Sequence, residues 1–105
     1  MAPEAGGASM RRAARTDANH SDIVAALRAI GATVTSTAAV GSGFVDVVAG
    51  YRGVNYLLEI KDGSKPPSAR KLTDDELKWH QDWRGQAHVV ETVDQAIKVV
   101  TGNES

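Results

Sequence analysis

The feature that most constrains this chain is an apolar stretch, residues 44–61, with three charged side chains at the end away from its turn. It reads as two strands joined by Tyr51-Arg52-Gly53-Val54. Because strand residues two apart share a face, Glu59 and Lys61 point the same way. A tight turn centred on Arg52-Gly53 sets Asp46 opposite Glu59, with Cβ atoms about 5 Å apart. A loop one residue longer would weaken that pairing, and the sequence leaves the register open.

Two interpretations fit these charges. Two carboxylates and an ammonium group at one end of an apolar hairpin are costly unless their charge is compensated. In the first interpretation, Asp46 and Glu59 supply oxygen ligands to a hard divalent cation, and Lys61 lies beside a reacting phosphate or water. In the second, they form a solvated cross-strand ion pair. Residue types and spacing alone favour the second.

The order of motifs around the hairpin resembles a nuclease family. Gly43-Phe44-Val45-Asp46, a spacer of twelve residues and Glu59-Ile60-Lys61 resemble the D-(x)n-E-x-K signature of the PD-(D/E)XK superfamily, with Val45 where proline is usual. Residues 72–76 and 79–85 are similar to the L-T-x-x-Q…W…G helix of its small VRR-NUC and Holliday-junction-resolvase-like members from phages and bacteria. The resemblance covers about residues 15–102.

The resemblance implies a restriction-endonuclease-like α/β core and a Mg²⁺- or Mn²⁺-dependent nuclease that cuts phosphodiester bonds in DNA, as a structure-selective or nicking endonuclease. It implies that Asp46, Glu59 and the Ile60 carbonyl bind the metal, while Lys61 orients or helps deprotonate the attacking water. The products would carry a 5′-phosphate and a 3′-hydroxyl. A homodimer or higher homo-oligomer would let two sites address two strands.

One departure from the family concerns the first helix, predicted over residues 17–30 with Thr16 or Asp17 as its cap. Relatives often carry a metal-directed glutamate where this chain has His20. His20 is a further candidate ligand, but the alternatives of a hydrogen-bond donor or a satisfied buried histidine are favoured, because Mg²⁺ prefers oxygen ligands. The departure supports a second hypothesis, a catalytically inactive nuclease-fold subunit for nucleic-acid binding or assembly. A third is a small α/β interaction module with no nucleic-acid role.

The segment after Lys61, DGSKPPSARK, is the most polar loop of the chain. Lys65, Arg70 and Lys71 are the candidates for gripping a nucleic-acid backbone there. A solvated connection explains each of them equally well. The formal net charge of -1 provides no global attraction to nucleic acid, so any such contact needs a local basic patch.

The second helix is predicted over residues 73–84. Thr73-x-x-Glu76 is a capping box, which explains Glu76 structurally and leaves a role in the site possible but not favoured. Trp79 and Trp83 lie one turn apart on one face. Core packing is the default for this pair, with a dimer surface or base stacking as alternatives.

The remaining segments complete one α/β domain over residues 15–105, preceded by a flexible tail over residues 1–14. Strands are predicted over residues 32–39 and 87–91, with a third helix from Thr92 closed by Gly102. The glycine-rich turn at residues 40–43 would let a substrate backbone approach Asp46, or it is only a connecting loop. The predicted order is helix, three strands, helix, strand, helix around one mixed sheet.

Composition excludes several function classes. The chain has no cysteine, and its three histidines lack zinc spacing. It has no phosphate-binding glycine loop followed by a helix and lysine, and no apolar run of the ~20 residues that span a membrane. We therefore expect a soluble intracellular protein, and the resemblance implies the cytoplasm of a bacterium or of a phage-infected host cell.

Overall fold

Three helices and four strands make up residues 17–102, the part of the chain that this computed structural model describes. In chain order they are α1 His20–Ala29, β1 Thr33–Ser36, β2 Val47–Tyr51, β3 Val54–Ile60, α2 Asp74–Asp82, β4 His88–Val90 and α3 Val93–Thr101, with a short 3-10 turn at Pro67–Ala69. The predicted order of elements and the α/β class are confirmed. The predicted tail over residues 1–14 lies outside the described residues.

The four strands form one mixed sheet in the order β1-β2-β3-β4. The first three are antiparallel neighbours, whereas β4 runs parallel to β3. The turn between β2 and β3 has positive φ at both central residues, 52° at Arg52 and 82° at Gly53, as a type I′ hairpin requires. Tyr51 pairs with Val54, and the ladder continues to Val47 and Leu58, so the predicted register is confirmed over this length.

The hydrophobic core lies between one face of the sheet and the helices α1 and α3. The buried apolar side chains of this core are Ile23, Leu27, Ala32, Val34, Val47, Ala49, Leu58, Ile60, Val90, Ala96, Val99 and Val100. The end of β3 is buried on both faces, since the neighbouring residues Glu59 and Ile60 are both buried. The buried charged residues of the described chain all lie here, namely Glu59, Lys61 and Asp62. This end of the hairpin therefore needs an explanation beyond packing.

Helix α1 begins later than predicted and is capped differently. Its N-cap is Asn19 rather than Asp17, and the Asn19 side chain makes no capping hydrogen bond; Thr16 lies outside the described residues. The Asn19 Nδ2 instead donates to the carbonyl oxygens of Lys61 (3.1 Å) and Glu91 (3.0 Å). Asn19 thus ties α1 to the chain just beyond β3 and β4.

Helix α2 has the predicted capping box, with Thr73 and Glu76 satisfying each other's backbone N–H groups. It ends at Asp82, before the predicted Arg84. Helix α3 has Thr92 at its N-cap and Gly102, with φ 70°, at its C-cap, as predicted. No helix within residues 17–102 has the length and apolar character needed to cross a membrane.

Candidate functional site

The ends of β2 and β3 bring the charged residues of the hairpin together. Asp46 directly precedes β2, and the ladder shifts by one residue there because the Asp46 N–H donates to the Leu58 carbonyl at 3.1 Å. The Asp46 carboxylate accepts from the Ile60 N–H at 2.8 Å. These two bonds fix Asp46 beside the segment that carries Glu59 and Lys61.

These residues line a polar cleft of about 230 Å³. Its walls are formed by Asp17, Asp46, Glu59, Ile60, Lys61, Lys65 and Glu76. A larger hollow of about 650 Å³ lies along β4 and α3, but it lacks such a cluster of charges. The chemistry of the lining, rather than volume, therefore marks the smaller cleft as the candidate site.

Lys61 is held between two carboxylates. Its Nζ lies 2.7 Å from Glu76 Oε1 and 3.6 Å from Glu59 Oε2. The same Glu76 oxygen accepts from the Thr73 N–H at 2.9 Å. Burial acts to lower the pKa of Lys61. The hydrogen bond to Glu76 and the negative charges of Glu76 and Glu59 outweigh this effect, so the pKa of Lys61 is raised. Lys61 is therefore a cation throughout the physiological pH range.

Glu59 is the least solvated charged group of the cleft. It is 1% exposed, and its Oε1 is buried with no hydrogen-bond partner. Burial and then the charge of Asp46 raise the pKa of Glu59 to about 9. Burial also raises the pKa of Asp46, against the hydrogen bond from Ile60. Without a further cation, the cleft therefore favours the protonated forms of Glu59 and Asp46, whereas the hydrogen bond from Lys61 lowers the pKa of Glu76 despite its partial burial.

The predicted phosphate-gripping residues take different positions. Lys65 lines the cleft, with its Nζ 3.9 Å from an Asp17 oxygen. Arg70 is held by Glu91 at 3.2 Å and by the Lys65 carbonyl at 2.6 Å. Lys71 is exposed and does not line the cleft. Only Lys65 of these three is placed at the candidate site.

His20 lies near the cleft without lining it. A positive charge on His20 would lower the pKa of Asp46, so the two side chains are close. The His20 Nδ1 is buried and has no hydrogen-bond partner. No group of the described residues satisfies this nitrogen, and His20 stays a candidate ligand for a cation in the cleft.

Two residues around the cleft have roles that their sequence patterns understate or do not signal. The capping box explains Glu76 correctly but incompletely, because the same carboxylate also binds Lys61. The sequence does give one indication of this second role. In the L-T-x-x-Q pattern that residues 72–76 resemble, Glu76 stands where glutamine is usual. Asn19 gives no signal in the sequence, since its partners lie 42 and 72 residues away.

One glycine of the turn before Asp46 has a structural role. Gly43 has φ 81°, and a Cβ built there would overlap the Asp75 carbonyl in the first turn of α2. Gly43 therefore allows α2 to approach the turn closely. The approach of a substrate backbone to Asp46 along this turn stays a prediction.

The predicted core packing is wrong for Trp83, which is 40% exposed. No residue of α2 is fully buried. Trp79 is half-buried and stacks on Trp83, with ring centroids 4.7 Å apart. The pair therefore forms a surface feature next to the cleft.

Within residues 17–102, no three aspartate, glutamate or histidine side chains form a preformed metal-binding group. A cation here would need Asp46 and Glu59 together with a backbone carbonyl, as predicted for Ile60. Comparison with known proteins adds no relative, because no protein-family model, curated protein or solved structure matches this chain.

Proposed function

We propose that this protein is a Mg²⁺- or Mn²⁺-dependent nuclease that hydrolyses phosphodiester bonds in DNA, with a PD-(D/E)XK-type site. The observation that carries the proposal is the buried Glu59 carboxylate, whose Oε1 has no partner and which shares one cleft with Asp46 and Lys61. Burying like charges in this way is unfavourable unless a cation enters between them. The antiparallel β1-β2-β3 arrangement with a parallel β4 agrees with a restriction-endonuclease-like core.

The donor set suits a hard cation. Asp46 and Glu59 would hold it through carboxylate oxygens, and the Ile60 carbonyl would supply a third ligand. All three ligands are oxygen atoms, which Mg²⁺ and Mn²⁺ prefer. The unpartnered Glu59 Oε1 supports this donor set, because coordination to a cation would satisfy that oxygen.

A cation also resolves the charge of the cleft. The lining carboxylates outnumber the ammonium groups four to two. Lys61 and Lys65 already face Glu76 and Asp17, so neither is a free cation for an incoming phosphate. When bound, a divalent ion supplies Lewis-acid polarisation of the phosphoryl group and lowers the pKa of a coordinated water.

Lys61 acts as an orienting donor in this proposal. Its raised pKa keeps the ammonium protonated, so it would orient the attacking water rather than remove a proton from it. Glu76 fixes the position of Nζ. The water oxygen bonds to phosphorus as the bond from phosphorus to the 3′ oxygen breaks, and the proton that the water loses to solvent is balanced by one that the 3′ oxygen gains, which leaves a 5′-phosphate and a 3′-hydroxyl. A homodimer would present two such clefts to two strands.

Isothermal titration with Mn²⁺ tests the site separately from catalysis. We expect the wild-type protein to bind Mn²⁺, and Asp46→Asn and Glu59→Gln to lose this binding while staying folded. Asp94→Asn, an exposed carboxylate in the first turn of α3, is the matched control and should bind like wild type. Equal Mn²⁺ affinity in Glu59→Gln and wild type would remove the basis of the proposal.

A second candidate function is a catalytically inactive subunit that binds nucleic acid. The specific observations in its favour are His20, at the place where the family often has a glutamate, and the pairing of Lys61 with two carboxylates. This candidate predicts DNA binding that is independent of metal and no cleavage. The variant His20→Glu would then be the first to examine for a gain of cleavage.

A further inference from the structure

Three aromatic side chains, Phe44, Trp79 and Trp83, form a cluster that we term the aromatic ledge. Trp79 stacks on Trp83 at an interplanar angle of 21°, and Phe44 meets Trp79 edge-on with centroids 5.3 Å apart. Trp83 is the outer member and is 40% exposed. The ledge therefore presents an indole ring to solvent on top of a partly buried aromatic base.

The ledge is joined to the polar cleft by two separate segments of the chain. Phe44 lies two residues before Asp46, and Trp79 lies three residues, about one helical turn, after Glu76, although Trp79 itself lines a neighbouring hollow with Asp75 and Lys78. The seven residues from Glu76 to Trp83 span about 10 Å along a helix axis. A nucleotide whose phosphate lies in the cleft would bring a neighbouring base to the ledge.

The outer indole is held in one orientation. Its Nε1–H donates to the Gln86 carbonyl at 3.1 Å, and the Gln86 side chain donates to the Asn55 carbonyl at 2.7 Å. Gly85 leaves the space that the indole occupies, because a Cβ there would lie 2.9 Å from Nε1. The polar atom of Trp83 is satisfied, so its ring is a preorganised apolar surface.

Trp83 is the only aromatic residue among the large hydrophobic residues exposed within residues 17–102. The other large hydrophobic residues exposed within residues 17–102 lie on separate elements or faces, namely Val40, Val54, Leu77 and Val89. Leu77 lies six residues before Trp83, so it points about 120° away around α2. Polar residues border the ledge, including the Lys78–Asp82 pair at 2.9 Å. A single planar group fits this surface better than an apolar protein face, which needs several hundred Å².

We propose that the aromatic ledge stacks an unpaired nucleobase adjacent to the phosphate in the cleft, so that the protein selects nucleic acid with a single-stranded segment at the cut site. Every base has a π-face, so stacking on Trp83 gives affinity without sequence preference. The inference rests on the proposed function and deepens it, since it names the substrate class. Its stacking contact, unlike the chemistry, does not depend on Asp46 or Glu59.

Intrinsic fluorescence tests the ledge directly, because Trp79 and Trp83 are the two tryptophans of the chain. With Ca²⁺ in place of Mg²⁺, we expect a fluorescein-labelled duplex with a single-stranded flap to quench tryptophan emission, and a blunt duplex of the same sequence to quench it little. Trp83→Ala should weaken flap binding, measured by anisotropy, roughly 5- to 150-fold. Leu77→Ala is the matched control for an exposed apolar residue of α2 and should bind like wild type. Replacing the flap nucleotide next to the junction by an abasic one should reproduce the loss in wild type.

Three outcomes would overturn the inference: equal quenching by blunt and flapped duplex, unchanged flap affinity in Trp83→Ala, or a change of oligomeric size in Trp83→Ala with DNA affinity intact. The last would assign the ledge to contact between copies of the chain. If any of these outcomes occurs while metal-dependent cleavage persists, the stacking inference is wrong and the proposed nuclease activity is retained. If flap binding depends on Trp83 but no substrate is cut, base stacking on the aromatic ledge is supported and the proposed nuclease activity is wrong.

Discussion

Glu59 is an acidic residue whose charged form is unfavourable in the described structure. Its pKa is raised from 4.5 to about 9 by burial and by Asp46. The folded state therefore binds more protons than the unfolded state between these values, and the stability of the metal-free protein must fall as pH rises through this window. Below pH 4.5 the penalty is absent, and above about pH 9 it is complete.

We therefore predict that Glu59→Gln stabilises the metal-free protein at pH 8, by roughly 1–3 kcal/mol, because it removes a buried acid that the fold must hold protonated at a pH where the unfolded chain is ionised. Urea unfolding in EDTA at pH 5 and pH 8 measures the effect. The gain should shrink at pH 5 and reverse when Mn²⁺ is added, since only wild type has the ligand. A variant less stable than wild type at pH 8 in EDTA would contradict this description of the cleft.

Glu76 is predicted to stabilise the fold through its acceptor oxygen. That oxygen accepts from both Lys61 and Thr73. Glu76→Ala leaves both donors without it, and we expect a loss of roughly 1–3 kcal/mol in the free energy of unfolding. Glu76→Gln retains an acceptor at the same place and should lose clearly less. Equal losses in the two variants would show that the shared oxygen is unimportant.

At the scale of elements, α2 is held at few points. It has no fully buried residue, and it contacts the rest of the fold through the Glu76–Lys61 ion pair, the close approach of Asp75 to Gly43 and the packing of Trp79 on Phe44. The helix that carries both Glu76 and the aromatic ledge is thus positioned by the turn before Asp46. Disturbing that turn should displace one wall of the cleft.

Gly43→Ala is predicted to displace α2 and to destabilise the protein. Gly41→Ala is a matched control: Gly41 has a similar φ of 79°, but a Cβ added there would meet no atom within 4 Å, whereas one at Gly43 would meet Asp75. Both substitutions carry the left-handed backbone penalty of about 1–2 kcal/mol, and Gly43→Ala adds the overlap. Urea unfolding and the near-ultraviolet circular dichroism of the tryptophans measure both effects. Equal behaviour of the two variants would contradict the tight contact.

The hairpin could be predicted from sequence because its constraints are local. Gly53 suits one of the two positive φ values of the turn, and once the turn is centred on Arg52-Gly53 the alternation of side chains fixes which residues face each other. The Thr73–Glu76 capping box is local for the same reason. These two elements contain most of the cleft, so the meeting of Asp46, Glu59 and Lys61 follows from the sequence as soon as the hairpin register is known.

The rest of the site depends on tertiary contacts that local patterns do not encode. Asn19 is held by the carbonyl oxygens of Lys61 and Glu91, the residues that directly follow β3 and β4. Arg70 forms an ion pair with Glu91 and does not line the cleft. Trp79 and Trp83 have the spacing of a core stripe, yet α2 lies at the surface, where the same spacing makes a ledge. Spacing alone cannot distinguish a buried stripe from an exposed one.

At the scale of the whole molecule, a small fold concentrates charge in one cleft although its formal net charge is only -1. The core lies on the α1 and α3 side of the sheet, whereas the opposite side carries the cleft and α2. Substitutions at the cleft should therefore alter activity without removing the core. The aromatic ledge beside the cleft would select the shape of the DNA.

Cleavage of labelled DNA is the measurement that tests the central claim most directly. Single strands, blunt duplex, nicked duplex, flaps and junctions would be incubated with Mg²⁺, Mn²⁺ or EDTA, and with wild type, Glu59→Gln and the control Asp94→Asn. We predict metal-dependent products from wild type and Asp94→Asn, none from Glu59→Gln, and a preference for DNA with an unpaired segment. Absence of products from every DNA with folded wild-type protein, or products that persist in Glu59→Gln, would contradict the proposed nuclease.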